Sequence, residues 1–207
     1  MSGKLITFEG IDGSGKSTQI DLLRSYLEAA GHKVLVVREP GGTELSEKIR
    51  DLLLAIESAG LDPRAELFLF SAARAQLVHE LIRPALDDNK IVICDRYADS
   101  SIAYQGYGRE LPLEQVITTQ NLATGGLKPD LKILLDIAVP ASFNRLENMD
   151  DDRMESSGQS FRSRVREGYL KLAHGSPGEW LVIDGSLEKG AIAQVIAEAI
   201  EERLLNE

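Results

Sequence analysis

The chain has 207 residues, 43% hydrophobic and 27% charged, which is the balance of a soluble protein long enough to bury one sizeable core. Its net charge of -10 has the wrong sign for holding a nucleic acid polymer, and no run of roughly 18 apolar residues could span a membrane. The single cysteine, Cys94, cannot form an internal disulfide, and the apolar run at the N-terminus is too short for a signal peptide. We therefore expect a cytoplasmic protein whose partners are small molecules.

Five short apolar runs predict β-strands. Each run is continuous rather than alternating, which is typical of strands covered on both faces. In chain order they are residues 5–8, 34–37, 91–94, 131–135 and 181–183. An acidic residue follows each run, either directly or after one residue. Because ligands of open α/β sheets bind beyond the carboxyl ends of the strands, we expect a polar site at that edge.

Patterns typical of helices alternate with these runs. They cover residues 17–30, 46–56, 65–86, 113–122 and 192–205. This alternation predicts one α/β domain over residues 1–207, with a five-stranded parallel sheet and helices on both of its sides. Residues 144–160 are polar and charged with little apolar content, and we interpret this segment as a lid.

Residues 10–17, GIDGSGKS, match the phosphate-binding pattern G-x-x-x-x-G-K-[ST], with the required strand before it and helix after it. Glycines let successive backbone N–H groups face a phosphate, and the helix start adds partial positive charge. Lys16 would reach the β and γ phosphates, and the Ser17 hydroxyl would ligate Mg²⁺. The predicted ATP-binding residues are Gly10, Ile11, Asp12, Gly13, Ser14, Gly15, Lys16, Ser17 and Thr18.

Among proteins with this loop, a regulatory GTPase would need an Asn-Lys-x-Asp motif after a strand. Asn89 and Lys90 precede a predicted strand and lack the aspartate, so that interpretation fails. ATPases that act on DNA or RNA would usually be longer and more positively charged. A small kinase of nucleotides or metabolites is the class that remains.

Five further motifs, in order and covering nearly the whole chain, resemble those of the thymidylate kinases. They are FEGID at 8–12, REPGGT at 38–43, DRY at 95–97, AYQG at 103–106, and KPDL at 128–131 leading into LLD at 134–136. The resemblance implies a P-loop kinase fold that transfers the γ-phosphoryl group of ATP, with Mg²⁺, to dTMP. The products would be dTDP and ADP, and the family is homodimeric.

The resemblance also implies an acceptor site. In it, Phe70 stacks on thymine, Arg74 hydrogen-bonds the carbonyl edge of the base, and Arg96 contacts the acceptor phosphate. Arginine suits phosphate because its planar fork pairs with two oxygens at once. The predicted dTMP-binding residues are Asp12, Arg38, Pro40, Arg50, Phe70, Arg74, Arg96, Ser101, Tyr104 and Gln105.

This chemistry needs charge stabilisation rather than a general base, because a phosphate monoester is largely ionised at pH 7. The predicted catalytic residues are Lys16, Asp95, Arg96 and Arg153, with Ser17 and Asp95 as the metal site. The P-loop has no cation between its first glycine and Lys16, so a lid arginine is expected to serve, as in the bacterial type of the family. The DRME sequence at 152–155 resembles the lid signature and makes Arg153 the first choice, with Arg145 the next.

Two alternatives remain open from the sequence. Another nucleoside or nucleotide kinase is the first, and if its acceptor were a sugar hydroxyl it would need a base, for which Glu9 is the candidate. The second is an ATP-binding switch protein without turnover.

Overall fold

The computed structural model describes residues 3–55, 60–146 and 158–205. Its centre is a five-stranded parallel sheet in the order β2-β3-β1-β4-β5. The strands are β1 (Lys4–Glu9), β2 (Val34–Arg38), β3 (Ile91–Asp95), β4 (Leu131–Asp136) and β5 (Trp180–Asp184). Phe8 of β1 lies opposite Asp95 of β3, so these two strands end at the same level beside the loop that follows β1.

Helices connect the strands. They are α1 (Lys16–Ala29), α2 (Glu44–Leu54), α3 (Pro63–Leu77), α4 (Arg83–Asp87), α5 (Ala98–Ser101), α6 (Leu113–Thr124), α7 (Val139–Leu146), α8 (Gly158–Gly175) and α9 (Lys189–Ile200). Wider π-helical turns at Val78–Ile82, Ile102–Gly108 and Glu201–Leu205 extend α3, α5 and α9 respectively. No helix among the described residues is both long enough and apolar enough to cross a bilayer.

The core lies on both faces of the sheet, because successive strand residues point to opposite sides. Ile6 of β1 belongs to the cluster formed with α1 and α9, whereas its neighbour Leu5 packs with Leu77 and Val78 of the other layer. A third cluster joins β4 to α8 through Val165. The predicted fold class, a parallel five-stranded sheet with helices on both sides, is confirmed.

Predicted and observed elements differ mainly in the helices. The predicted strands are each found, extended by one or two residues, whereas α5, α7 and α8 were not predicted. At the described ends of the predicted lid, residues 144–146 belong to α7 and 158–160 to α8, and the lid stays a prediction. Its remainder, 147–157, lies outside the described residues, as does Arg153.

Candidate active site

The loop between β1 and α1 has the backbone that its glycines predict. Gly10, Gly13 and Gly15 have φ values of 136°, 75° and 98°, in the region that favours glycine. At Gly10 a Cβ atom would lie 2.6 Å from the carbonyl oxygen of Leu135, so β4 leaves no room for a side chain there. The loop is therefore held against the sheet edge in a form that other residues would not adopt.

Lys16 begins α1 and is buried beneath this loop. Its Nζ donates to the carbonyl oxygens of Gly10 and Ile11, each at 3.1 Å. Burial, together with the charge of Arg96, lowers the pKa of Lys16, while Asp95 and other nearby carboxylates oppose that shift. The lysine is thus pre-positioned at the centre of the loop.

The predicted metal ligands fit a magnesium ion brought by a nucleotide. Oδ1 of Asp95 is buried and has no hydrogen-bond partner in the described part of the chain, and Asp95 is close enough to Lys16 to affect its pKa. Ser17, the residue after Lys16, is exposed at the start of α1. A carboxylate oxygen and a hydroxyl are the kinds of ligand that Mg²⁺ or its bound water prefers. The described residues contain no cluster of three or more His, Cys, Asp or Glu side chains that could hold a metal by itself.

Arg96 follows β3 in a backbone conformation that turns its side chain toward the P-loop. Its φ is 70°, in the left-handed region that costs a non-glycine residue about 1–3 kcal/mol. The Arg96 N–H donates to the Phe8 carbonyl at 2.9 Å, and the Tyr97 N–H donates to Glu9 Oε1 at 3.0 Å. These bonds on both sides hold the unusual conformation in place.

The guanidinium of Arg96 is paired with Asp12 of the P-loop. Nη2 donates to Asp12 Oδ1 at 2.6 Å, Nη1 donates to the Gly10 carbonyl at 2.9 Å, and the group lies 5.0 Å from the centre of the Tyr104 ring. Burial acts to raise the pKa of Asp12, but Arg96 and Lys16 outweigh it and the net shift is downward. Asp12 therefore stays ionised and can orient the arginine.

A cavity of about 560 Å³, part of it open to solvent, lies beside this pair. All the predicted dTMP-binding residues except Arg38 line it. The full set of lining residues is Asp12, Glu39, Pro40, Arg50, Leu54, Phe70, Arg74, Arg96, Ser100, Ser101, Tyr104 and Gln105. The structure therefore brings together side chains that are up to 93 positions apart in the chain, from Asp12 to Gln105.

Arg74 forms the polar inner wall of the cavity. It is 1% exposed, and its guanidinium donates to Glu39 at 2.6 Å, to Ser101 at 2.8 Å, to the Tyr97 carbonyl at 2.9 Å and to Gln120. These four acceptors hold the guanidinium in position and stabilise its positive charge. Phe70, one helical turn earlier on α3, presents a half-buried ring on the same face.

Two other predicted residues have their polar groups anchored by neighbours. Nε2 of Gln105 donates at 2.9 Å to the fully buried carboxylate of Glu66, which also pairs with Arg109 at 3.1 Å. The Tyr104 hydroxyl donates to Asp12 Oδ2 at 3.3 Å. The amide and the ring therefore have defined positions in the cavity wall.

The remaining two arginines of the predicted acceptor site differ in placement. Arg38 is half-exposed and pairs with Glu47 through contacts of 2.8 and 3.1 Å, outside the cavity lining. Arg50 lines the cavity and donates to the Pro40 carbonyl at 2.9 Å. Gly41 has a φ of 141°, in the region that favours glycine, so this turn needs glycine.

A second pocket, of about 800 Å³, lies on the outer side of the P-loop. Arg145 spans its rim, with Nη2 donating to the Gly185 carbonyl at 3.0 Å and Nη1 to the Gly13 carbonyl at 3.4 Å. Of the residues that line this pocket, only the P-loop residues and Arg145 were predicted from the sequence. Its lining residues are Ser14, Gly15, Thr18, Gln19, Arg145, Gly185, Leu187, Lys189 and Ile192.

Sequence reasoning also missed a buried polar group beneath Arg96. Glu9, Ser100 and Tyr169 are hydrogen-bonded in series there. Burial, and then the charge of Asp99, raises the pKa of Glu9 to about 7, although Ser100, Arg96 and Arg74 favour the charged form. The apolar residues Phe161, Val165, Tyr169 and Ala173 recur every four positions, and this period was the signal that could have located α8 and with it Tyr169.

Comparison with known proteins agrees with this geometry. The sequence model described as thymidylate kinase matches residues 8–196. A thymidylate kinase of Bifidobacterium longum (strain DJO10A) is 50% identical over 98% of this chain and 99% of its own. One from Caldanaerobacter subterraneus subsp. tengcongensis is 45% identical over 99% of this chain and 98% of its own. The crystal structure of thymidylate kinase from Ehrlichia chaffeensis aligns with a TM-score of 0.79 and 35% identity, covering 97% of this chain and 99% of that one. The family predicted from the motifs is therefore confirmed, and the chain belongs to the thymidylate kinase family.

Proposed function

We propose that this chain transfers the γ-phosphoryl group of ATP to the phosphate of dTMP, giving dTDP and ADP, with dTMP in the cavity beside Arg96. The observation that carries this proposal is the position of the cavity. Asp12 of the P-loop and Arg96 belong to its lining, and so do Phe70 and Arg74 of α3. A nucleoside monophosphate bound with its base against Phe70 and Arg74 presents its phosphate to Arg96 and the P-loop.

On the donor side, the P-loop amides and Lys16 hold the ATP phosphates. The second pocket, with Arg145 at its rim, takes the adenine base, since it adjoins Gly15 and Thr18 where the phosphates begin. Ser17 and Asp95 would hold Mg²⁺ or its bound water, and the ion would supply charge neutralisation for the phosphates.

On the acceptor side, Arg96 and Arg50 meet the dTMP phosphate. Arg74, Ser101 and Gln105 meet the edge of the base, Phe70 stacks on its face, and Pro40 shapes the wall. Tyr104 lies under the sugar, where its ring disfavours a 2′-hydroxyl. Asp12 lies near the 3′-hydroxyl while it orients Arg96. Arg38 acts through its pairing with Glu47, which shapes the loop after β2.

Transfer brings two anions together, so cations must neutralise the negative charge of the phosphoryl group in the transition state. Lys16 and Arg96 are in place for this role. Arg153 remains the predicted lid arginine, since no P-loop residue between Gly10 and Lys16 is a cation. Arg153→Ala is expected to lower mainly kcat, and a retained kcat would reject that role.

We also propose a cytoplasmic homodimer. Helices α2, α3 and α6 pack side by side and expose large apolar side chains, which suit a contact between two copies of the chain. These side chains are Leu45, Leu52, Phe68, Leu113, Ile117 and Leu122.

A panel of acceptors tests the proposed reaction. With ATP and Mg²⁺, ADP release should depend on dTMP and be much weaker with other nucleoside monophosphates or with thymidine. Turnover of thymidine but not dTMP would instead support a deoxynucleoside kinase. ATP binding without acceptor-dependent ADP release would support a switch protein.

A further inference from the structure

We propose that Tyr169, on α8, is a positioning residue for Arg96, and that its hydroxyl is the middle of a hydrogen-bonded chain from Arg96 to Glu9. This inference rests on the proposed role of Arg96 at the acceptor phosphate. None of Tyr169, Ser100 and Glu9 is assigned to a substrate in the reaction described above. They are expected to act by fixing the guanidinium.

The distances define the chain of bonds. Nη1 of Arg96 donates to the Tyr169 hydroxyl at 3.1 Å. The Tyr169 and Ser100 hydroxyl oxygens are 2.7 Å apart, and the Ser100 hydroxyl lies 2.6 Å from Glu9 Oε2. Three contacts of hydrogen-bond length therefore connect a cation to a carboxylate through two hydroxyl groups.

The number of donors and acceptors on each side chain gives this series of hydrogen bonds one direction. An arginine can only donate, so the Tyr169 oxygen accepts from Arg96. When Glu9 is ionised, the single Ser100 hydroxyl hydrogen is used on Glu9, so the Tyr169 hydroxyl must donate to Ser100. Tyr169 thus accepts from Arg96 and donates to Ser100, and removing its hydroxyl breaks the series of bonds in the middle.

Burial makes the arrangement rigid. Tyr169 is 1% exposed, Ser100 6% and Glu9 0%, so water cannot readily replace a missing partner. The same Glu9 carboxylate also accepts the Tyr97 N–H through Oε1, next to the strained backbone of Arg96. Glu9 therefore fixes Arg96 twice, through the backbone that follows it and through the hydroxyl chain that reaches its side chain.

Nη1 of Arg96 carries two hydrogens, and its two nearest protein acceptors are the Gly10 carbonyl at 2.9 Å and the Tyr169 hydroxyl at 3.1 Å, with the Ser100 hydroxyl farther away at 3.5 Å. Without the Tyr169 hydroxyl, the guanidinium can rotate about its shorter bonds to Asp12 and Gly10. A misplacement of about 1 Å at a reacting group can cost on the order of 100-fold in rate. The loss should therefore appear in the use of dTMP and not in the binding of ATP.

The test uses Tyr169→Phe, which removes one oxygen and keeps the packed ring. We expect kcat with dTMP to fall about 10- to 100-fold and the Kd for dTMP to rise several-fold, with the Kd for ATP unchanged. Tyr107→Phe is the matched control, because Tyr107 packs against Gly168 of the same helix and its hydroxyl has no hydrogen bond to the described residues. That control should behave as the unmodified protein. Ser100→Ala breaks the same chain one bond further on and should show the same pattern.

A double-mutant cycle separates positioning from general structural damage. If Tyr169 acts through Arg96, adding Tyr169→Phe to Arg96→Ala should not weaken dTMP binding further, as measured by calorimetry. A full additional loss in that background, or unchanged kcat and dTMP affinity in Tyr169→Phe alone, would overturn the inference. If Arg96→Ala itself kept full activity, the proposed role of Arg96 would fail instead, so the two failures are distinguishable.

Discussion

At the scale of single residues, the site depends on cations that neighbouring carboxylates hold in place. Arg96 pairs with Asp12, Arg74 with Glu39, and both arginines are largely withdrawn from water. Breaking such a pair is expected to cost more than breaking an exposed one, because the remaining charge stays buried. The acidic partners therefore have a part in nucleotide binding although their charge alone would repel a phosphate.

Phe70 provides the first prediction at this scale. Phe70→Ala should weaken dTMP binding by about 1–3 kcal/mol, or roughly 5- to 150-fold in Kd, because aromatic–base stacking has that magnitude. The Kd for ATP, measured by the same calorimetric titration, should not change. Equal weakening for both nucleotides would show that Phe70 supports the fold rather than the base.

Glu9 provides a prediction about pH. Its pKa of about 7 in the folded protein lies above the ordinary value of 4.5, so the folded protein binds this proton more tightly than the unfolded chain does. Its contribution to the free energy of unfolding is present below about pH 4.5 and is lost as the pH rises through 7, a change of about 3 kcal/mol. Denaturant unfolding at pH 5 and pH 8 should show a smaller difference for Glu9→Gln than for the unmodified chain. The same difference in both proteins would contradict the raised pKa.

Sequence reasoning reached the local part of the site but not the part made by tertiary contacts. The P-loop residues are adjacent in the chain, so their role follows from one short motif. Tyr169 and Ser100 are 69 positions apart and meet only because α8 packs over α5. For Arg38 a local motif was not sufficient. The residue lies in a family-like motif, but it is outside the cavity lining and pairs with Glu47.

At the scale of elements, α2 links the loop after β2 to the acceptor cavity. Thr43 caps it, with Oγ1 accepting the Ser46 N–H at 3.1 Å, and Glu47 in its first turn accepts the Gly42 N–H at 2.7 Å. Arg50, two turns into the helix, reaches the Pro40 carbonyl and the cavity. The start of α2 therefore sets where Arg50 lies.

Thr43→Ala should lower the free energy of unfolding by about 1 kcal/mol, the usual value for a lost N-cap, and should raise the KM for dTMP. Glu188→Ala is the matched control, since Glu188 caps α9 by accepting the Gly190 N–H at 2.8 Å, away from the acceptor cavity. It should destabilise the protein modestly and leave the KM for dTMP unchanged. An equal change of KM in both variants would argue against a specific role of α2.

The elements that the sequence predicted are those with a strong local pattern, either a continuous apolar run or a helical period. Continuous apolar runs located the five strands, because a strand buried on both faces has no polar alternation. Helix α5 has only four residues before it widens into the π-helical turn Ile102–Gly108, so it offers too few turns for an amphipathic pattern. A π-helical turn also changes the spacing of residues on a face, which removes the period of 3.6 on which prediction relies.

At the scale of the whole molecule, the net charge of -10 coexists with a site that must attract two anions. Four arginines that line the two pockets, Arg50, Arg74, Arg96 and Arg145, are gathered with Lys16 at one edge of the sheet. This local concentration allows small phosphates to bind while the rest of the surface repels nucleic acid polymers.

The apolar face of α2, α3 and α6 gives a prediction about assembly. Sedimentation should give about twice the chain mass of 22.7 kDa, because Phe68 and Leu122 are 62% and 84% exposed in the single chain. Leu122→Asp should shift the protein toward the monomer. Leu22→Asp, at an apolar position exposed by 40% on α1, should not. A chain that sediments as a monomer at micromolar concentration would contradict the proposed dimer.

The central claim is that a phosphoryl group is transferred directly between two nucleotides held on either side of Arg96. Purified protein with Mg²⁺, dTMP and ATP labelled in the γ-phosphoryl group tests it in one measurement, by following where the label goes. The label is predicted to appear in dTDP, one equivalent for each ADP formed. Label released as inorganic phosphate, or none transferred while both nucleotides bind, would contradict the claim.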